Sequence, residues 1–297
     1  MVSQHAQIHL IYETTSEAGE KIMQIDSHQH FWQYSSADYS WITDELAPLQ
    51  NDFMPADLAS QMESVKISGT IAVQARQQQT ETDFLLQLAN SYDWIKGVVG
   101  WIDLRSKDVM NSLEKYADQA KCRGFRHILQ DEPNDNFMLG SDFVHGIGQL
   151  QQFDFTYDLL IFPRQLKAST DLARQFPEQP FVVDHIAKPL IADRTLEPWA
   201  TDIRKLAECQ NVCCKVSGMV TEAKWNQWQP EDFTPYLDLV FDCFGPGRIL
   251  FGSDWPVCTL SGSYRAIYDL VSNYIRRFST AEQEAIMGRN AAEFYRL

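Results

Sequence analysis

Positive charge is scarce in this chain. Its 297 residues carry 25 Lys and Arg against 40 Asp and Glu, a formal net charge of −15. A nucleic-acid binder needs a basic footprint, and none is present. The same balance offers nothing to an anionic lipid surface, although local positive groups in a pocket can still hold an anionic ligand. No run approaches the roughly 18 apolar residues of a membrane helix. Phosphate-cradling loops are missing too, since neither G-x-G-x-x-G nor G-x-x-x-x-G-K-[ST] occurs. There is no G-x-S-x-G nucleophile elbow. The six cysteines, Cys122, Cys209, Cys213, Cys214, Cys243 and Cys258, form no C-x-x-C pair. Several lie in apolar runs such as Val212-Cys213-Cys214-Lys215-Val216, as buried reduced thiols do, which fits a reducing cytoplasm.

What is present is ordinary globular composition, 44% hydrophobic and 22% charged, in a chain long enough for a sizeable core. Residues 1–22 include His5, His9, Glu13, Glu17 and Glu20, and their one apolar patch, Ile8 to Tyr12, lacks the basic start and length of a secretion signal. They read as an extension, with Met23 an alternative start, ahead of a single domain over 23–297.

That domain alternates short β-rich runs with helical ones. The expected strands are Gln24–Phe31, Gly69–Ala75, Ile95–Leu104, Gly124–Leu129, Phe155–Phe162, Phe181–Ile186, Val212–Ser217 and Ile249–Gly252. Each is short, apolar and rich in β-branched or aromatic residues, the pattern of strands buried on both faces. Between them, Pro55–Lys66 places Leu58, Met62 and Val65 on one helix face. Similar patterns fill Thr82–Ser91, Asn111–Lys121, Ser141–Gln152, Gln165–Gln175, Trp199–Cys209 and Thr234–Phe244, with closing helices over Tyr264–Phe278 and Thr280–Tyr295. This alternation predicts an α/β fold, a (β/α)8 TIM barrel. Two segments break the rhythm, Gln33–Asp52 with Trp41 and Thr221–Asp232 with Trp225 and Trp228. Both are expected to cover the barrel mouth.

The chemistry-bearing residues cluster at strand ends. In Asp26-Ser27-His28-Gln29-His30 the two histidines are two apart, so on a strand they project together and can bind one divalent cation or one substrate. His185 ends the sixth expected strand, Asp254 the eighth, and Arg126-His127 the fourth. In a barrel these carboxyl ends converge on one pocket. Asp254 is the candidate base, able to take a proton from water, with a helix N-cap as the structural alternative. His185 is a third metal ligand or a donor to a substrate oxygen. Arg126 and Lys188 are the candidates for a carboxylate or oxyanion, with His127 beside them. Lys215, inside an apolar strand, either pairs with an acid or reaches the pocket. Trp32, Gln74, Trp101, Tyr157, Asp158 and Trp255 are candidate pocket walls, their aromatic faces suited to the C–H faces of a sugar-like ring.

Longer runs carry a family resemblance. Ile25-Asp26-Ser27-His28-Gln29-His30-Phe31-Trp32, Tyr39-Ser40-Trp41-Ile42 and Asp52-Phe53-Met54-Pro55-Ala56-Asp57-Leu58 resemble the opening of the amidohydrolase-2 family. The likeness is greatest to its sugar-lactonase branch, that of the L-fuconolactonases and L-rhamnonolactonases. Gly124-Phe125-Arg126-His127, Asp184-His185-Ile186-Ala187-Lys188-Pro189 and Phe251-Gly252-Ser253-Asp254-Trp255-Pro256-Val257 match as well. The resemblance covers about residue 23 to the end. It implies a distorted TIM barrel that opens a lactone, with His28, His30, His185 and Asp254 on the superfamily's metal-site positions. The usual two-metal centre also uses a lysine after the fourth strand and a histidine after the fifth. Arg126-His127 and Tyr157-Asp158 stand there instead, which speaks against a binuclear site. One divalent ion, zinc or similar, is implied, and in this branch even that ion can be dispensable. The expected partner is a small molecule, with neither nucleic acid nor membrane, and a homo-oligomer is compatible with the sequence. Metal-dependent decarboxylation of a small aromatic or unsaturated acid is the alternative activity, and a non-catalytic sugar- or metal-binding barrel the third reading.

Overall fold

Strands buried on both faces need helices on one side and filled space on the other, and the chain supplies both. A computed structural model describes residues 23–297, so the expected extension over 1–22 lies outside the described residues. The strands are β1 (Ile25–Gln29), β2 (Gly69–Val73), β3 (Ile95–Gly100), β4 (Cys122–His127), β5 (Thr156–Leu159), β6 (Phe181–Val183), β7 (Val212–Val216) and β8 (Ile249–Phe251). All neighbouring pairs are parallel, in the order β1 to β8. Crossing between them are α1 (Pro55–Ser64), α2 (Gln79–Ser91), α3 (Val109–Ala117), α4 (Ser141–Leu150), α5 (Leu166–Gln175), α6 (Trp199–Ala207), α7 (Pro230–Phe244) and α8 (Tyr264–Tyr274). This is the expected TIM barrel.

Helix starts follow local chemistry. Pro55 and Pro230 open α1 and α7, where the missing N–H costs nothing. Asp57 and Asp232 accept from the backbone N–H of Met54 and Gln229 at 2.8 and 2.9 Å. Ser263 Oγ accepts from Ala266 N at 3.1 Å to start α8.

The period-two geometry of strands sorts side chains between two layers. Ile25, Ile71, Val73, Val99, Val182 and Leu250 fill the barrel interior, while Ala72, Val98, Phe125, Tyr157, Leu159, Phe181, Val183 and Phe251 face the helices. By the same alternation Arg126, Asp158, Asp184 and Lys215 point inward. The expected mouth segment after β1 forms an aromatic cap, in which Trp32, Tyr39 and Leu49 are buried and Trp41 packs against them.

The seam between β8 and β1 is stitched rather than laddered. One bridge joins Gln29 to Trp255. Asp26 adds a buried clasp, accepting from Ser253 N at 2.8 Å, from Ser253 Oγ at 2.5 Å and from Tyr264 OH at 3.1 Å. Asp254 N donates to His28 O at 2.8 Å and His30 N to Trp255 O at 2.7 Å, so the seam itself fixes the histidine and aspartate ends together.

Candidate active site

Three imidazoles meet one carboxylate oxygen at the carboxyl ends of the strands. Oδ1 of Asp254 lies 3.4 Å from His30 Nε2, 3.8 Å from His28 Nε2 and 3.8 Å from His185 Nε2. All four residues are at least 96% buried. Above them opens a cavity of about 260 Å³.

Backbone turns rather than strands deliver two of these groups. From His185 to Lys188 four consecutive residues adopt positive φ, at 55, 49, 59 and 50°, and Asp254 follows at 59°. Positive φ is rare for a β-branched residue such as Ile186, and such strain gathers at functional sites. Gly218 makes room for one of the rings. Its φ is +59°, and a Cβ there would lie 2.4 Å from His185 Nδ1.

Hydrogen bonds set the protons. His30 Nδ1 faces the Val73 carbonyl at 2.8 Å, and a carbonyl only accepts, so Nδ1 carries a proton and Nε2 is turned to Asp254. Arg126 Nη1 lies 3.2 Å from His28 Nε2, while His28 Nδ1 lies 3.2 Å from Lys215 Nζ and 3.3 Å from Asp184 Oδ1, so a cationic donor stands against each ring nitrogen. His185 Nδ1 lies 2.8 Å from Ser217 Oγ, a hydroxyl that can donate or accept, so this ring is free to hold either tautomer. Burial drives the His28 and His185 pKa values down, the second to about 4, so both rings are neutral near pH 7. Burial alone would raise the Asp254 carboxyl, but His185, His30 and His28 together hold it below the usual carboxylate range.

Beneath this cluster lies a compensated charge layer. Arg126 reaches Asp184 Oδ2 at 3.0 Å, and Lys215 Nζ lies 3.0 Å from Asp184 Oδ1 and against Asp158. Tyr295 OH donates to Asp158 at 2.9 Å. Two cations thus face two carboxylates in the barrel interior. Lys215, Arg126 and His28 overcome burial and hold Asp184 well below its ordinary pKa.

The donor set suits one small divalent cation. The ligand atoms of His28, His30 and Asp254 lie within 4.8 Å of one another, as do those of His28, Asp184 and His185. Zinc–nitrogen bonds of about 2.0–2.1 Å in a tetrahedron imply ligand atoms roughly 3.3 Å apart, close to the separations around Asp254. The His30 proton on a backbone carbonyl is the outer contact that orients metal-bound imidazoles. A second cation fits poorly, because both oxygens of Asp184 already face Arg126 and Lys215.

Of the residues expected to bind substrate, Arg126 and Lys188 line the cavity. The others are placed elsewhere. His127 and Tyr157 neighbour inward-facing residues on their strands and therefore point outward, to the helix layer. His127 is fully engaged, with Trp101 Nε1 donating to its Nδ1 at 3.3 Å and Glu132 2.7 Å from its Nε2. That leaves Trp101 a prop for His127. Tyr157 OH accepts from His127 N at 3.2 Å. Asp158 and Lys215 are wholly buried in the charge layer, which selects the acid-paired alternative for Lys215. Gln74, also buried, grips Arg126 through its carbonyl groups. Trp32 stands behind His30 with Nε1 donating to Asn51 O at 2.9 Å, and Trp255 packs on Phe31 and Phe53. Asp254 caps no adjoining helix through its side chain; the turn after it, Val257–Leu260, has no side-chain cap.

Sequence reasoning gave no role to Asp184, Gln130, Asp131 or Ser217, whereas Trp41 lines the cavity from the segment expected to cover the mouth. Asp184 had a signal, a charge in an apolar strand like that of Lys215. Gln130 and Asp131 had none, lying in a turn whose direction only the fold sets.

Comparison with known proteins places this arrangement. Two curated relatives are each named L-fucono-1,5-lactonase. One, from Burkholderia multivorans, is 41% identical over 286 residues, covering 93% of this chain and 96% of its own. The other, from Burkholderia ambifaria, is 36% identical over 279 residues, covering 92% and 95%. A crystal structure of an amidohydrolase from Burkholderia multivorans with bound zinc superposes with a TM-score of 0.89 at 41% identity, over 93% of this chain and 99% of that one. A family model described as Amidohydrolase matches residues 25–297, and with relatives this similar along nearly their whole length, the chain belongs to the amidohydrolase-2 family.

Proposed function

We propose that this protein is a hydrolase that opens a sugar aldonolactone, a cyclic ester, to its hydroxy acid. The observation that carries the reading is the meeting of His28, His30 and His185 on Asp254 Oδ1 at the floor of a cavity of about 260 Å³. The lactonase names of the two Burkholderia relatives support the substrate class.

In this reading a water beside Asp254 attacks the lactone carbonyl carbon and gives its proton to the Asp254 carboxylate. Asp254 is kept ionised for that purpose by the histidines around it. Arg126, with His185 donating from Nε2, stabilises the oxyanion. The tetrahedral centre collapses, the ring C–O bond breaks, and the departing alkoxide takes the proton back from Asp254. Water is consumed, one acid is formed and the carboxylate is restored. His28, His30, His185 and Asp254 would hold a single divalent ion, which when bound would lower the pKa of water and polarise the carbonyl, taking the Nε2 lone pair of His185 and replacing that ring as the oxyanion donor. Decarboxylation fits less well, because a carboxylate held ionised is a base and not the acid that must protonate carbon.

Residues 23–297 form the catalytic unit in this reading, with 1–22 outside it. Among the described residues no helix is long and apolar enough to cross a membrane, and the cysteines are all free, which supports a reducing compartment such as the cytoplasm.

The test is acid release from a panel of aldonolactones, followed by a pH indicator, before and after chelation. Wild-type protein should acidify sugar lactones, and Asp254→Asn should lose about 10²- to 10⁴-fold in turnover without unfolding. Carbon dioxide release, or near-full activity in the variant, would overturn the assignment. Elemental analysis should find no more than one equivalent of divalent metal per chain, and His30→Ala should remove it.

A further inference from the structure

A lysine and a glutamate face each other at the cavity wall without meeting. Lys188, delivered by the left-handed run from His185, lines the cavity, and its Nζ stands 3.9 Å from Oε1 of Glu222. Glu222 ends the turn Met219–Thr221 after β7, and Thr221 beside it lines the same cavity. A separation of 3.9 Å is an ion pair but too long for a hydrogen bond. Among the described residues neither head group makes a hydrogen bond. Neither is sealed from solvent as the unpartnered Nε of Arg126 is, for the two side chains are 17% and 19% exposed.

The side chains themselves show where the pair points. The Lys188 ammonium lies 5.4 Å from the centroid of the Phe162 ring, a cation–π contact that holds it beside Glu222. Burial pushes the Glu222 carboxyl up, Lys188 pulls it down, and Asp254 adds to the rise. Both charges that act on this carboxyl belong to cavity residues, so it faces the site and not the outer surface.

The chemistry of the gap is specific. An ammonium only donates and an ionised carboxylate only accepts, whereas a hydroxyl does both. A hydroxyl oxygen about 2.8 Å from each head would span the gap at an angle of roughly 90°. An ester oxygen can answer Lys188 but not Glu222. A substrate carboxylate would meet repulsion from Glu222, whose charge offsets that of the lysine. We propose that Lys188 and Glu222 are a specificity-determining pair that reads one hydroxyl of a polyhydroxylated lactone, the ammonium donating to its oxygen and the carboxylate accepting from it. The inference rests on the lactonase reading and deepens it, since it assigns Lys188 to the sugar ring and leaves the oxyanion to others.

The experiment is a cycle between side chain and hydroxyl. Values of kcat/KM are measured for an aldonolactone, its singly deoxygenated analogues and an unsubstituted lactone, with wild type, Lys188→Met, Glu222→Leu and Glu222→Gln. In wild type, loss of the contacted hydroxyl should cost about 10- to 100-fold, mostly through KM. In Lys188→Met and in Glu222→Leu the penalty should shrink at that same ring position, and Glu222→Gln, which keeps an acceptor oxygen, should retain most of it. A fall equal for every lactone, the unsubstituted one included, would put the ammonium on the carbonyl oxygen they all share and overturn the inference. Variants that change no preference, or that change it at two different positions, would overturn it too, with lactone hydrolysis left standing. Wild type inert towards all of the lactones would overturn both. Unfolding midpoints for the variants, expected to match wild type, separate recognition from loss of fold.

Discussion

Gly218 and Lys215 show how single residues hold the site. A side chain at Gly218 would strain a backbone at φ +59° and press on His185 Nδ1. Gly218→Ala should therefore displace the ring and reduce kcat by tenfold or more, with about 1–3 kcal/mol of lost stability from the strain. Steady-state kinetics and urea unfolding measure the two effects. Lys215 is the cation shared by Asp158 and Asp184 in a fully buried layer. Lys215→Met should cost about 3–5 kcal/mol in urea unfolding, because the carboxylates it leaves are buried and under-compensated. The sequence shows a lysine out of place in Val212–Val216, which marks it as paired or functional, but the partners lie on other strands and only closure of the barrel decides between the two. His127 and Tyr157 illustrate the complementary difficulty. Polar residues at strand ends look alike in sequence, while the pleat sends alternate ones to opposite layers.

At the scale of elements the strands were legible and their ends were not. Expected runs such as Phe155–Phe162 and Phe181–Ile186 shorten to Thr156–Leu159 and Phe181–Val183. Apolar composition continues past the last ladder bond, while the backbone turns away to build the cavity, for instance through the left-handed residues from His185. The mouth segment after β1 was recognisable by its length, and its fastening was not. Glu81 at the start of α2 accepts from Tyr39 OH at 3.1 Å and from Ala75 N and Arg76 N at 2.9 Å, and Arg76 pairs with Asp38. Burial raises the Glu81 pKa to about 7 against the two backbone donors, Tyr39 and Arg76. A raised folded pKa means stability that is full below the unfolded value of 4.5 and is lost as pH rises through about 7. Between about pH 5 and pH 7 wild type should lose stability relative to Glu81→Gln, by at most about 1.4 kcal/mol per pH unit, and the loss should level off above pH 7, where both states are ionised. Parallel pH profiles of the two in urea would contradict a titrating fastener.

Over the whole molecule, the last residues complete the barrel from the end opposite the cavity. Ala291 and Tyr295 join Ile25, Ile71, Val99 and Leu250 in the interior core, and Tyr295 OH reaches Asp158. Asn290 Nδ2 donates to Pro246 O and Ile249 O at 2.7 Å, fastening the same segment to the start of β8. The sequence places a closing helix here, over Thr280–Tyr295, without indicating that it plugs the interior as well as the outer ring. The seam of the barrel adds to the dependence, since β8 meets β1 through the Asp26 clasp and one bridge rather than a ladder. Removing residues 290–297 would leave Asp158 short of a donor, open the interior core to water and release β8 from its fastening at once. Tyr295→Phe removes only the hydroxyl and should cost about 1–2 kcal/mol, whereas the deletion should abolish cooperative unfolding. A deletion variant with a sharp, wild-type-like urea transition would show that the eight strands close without their plug.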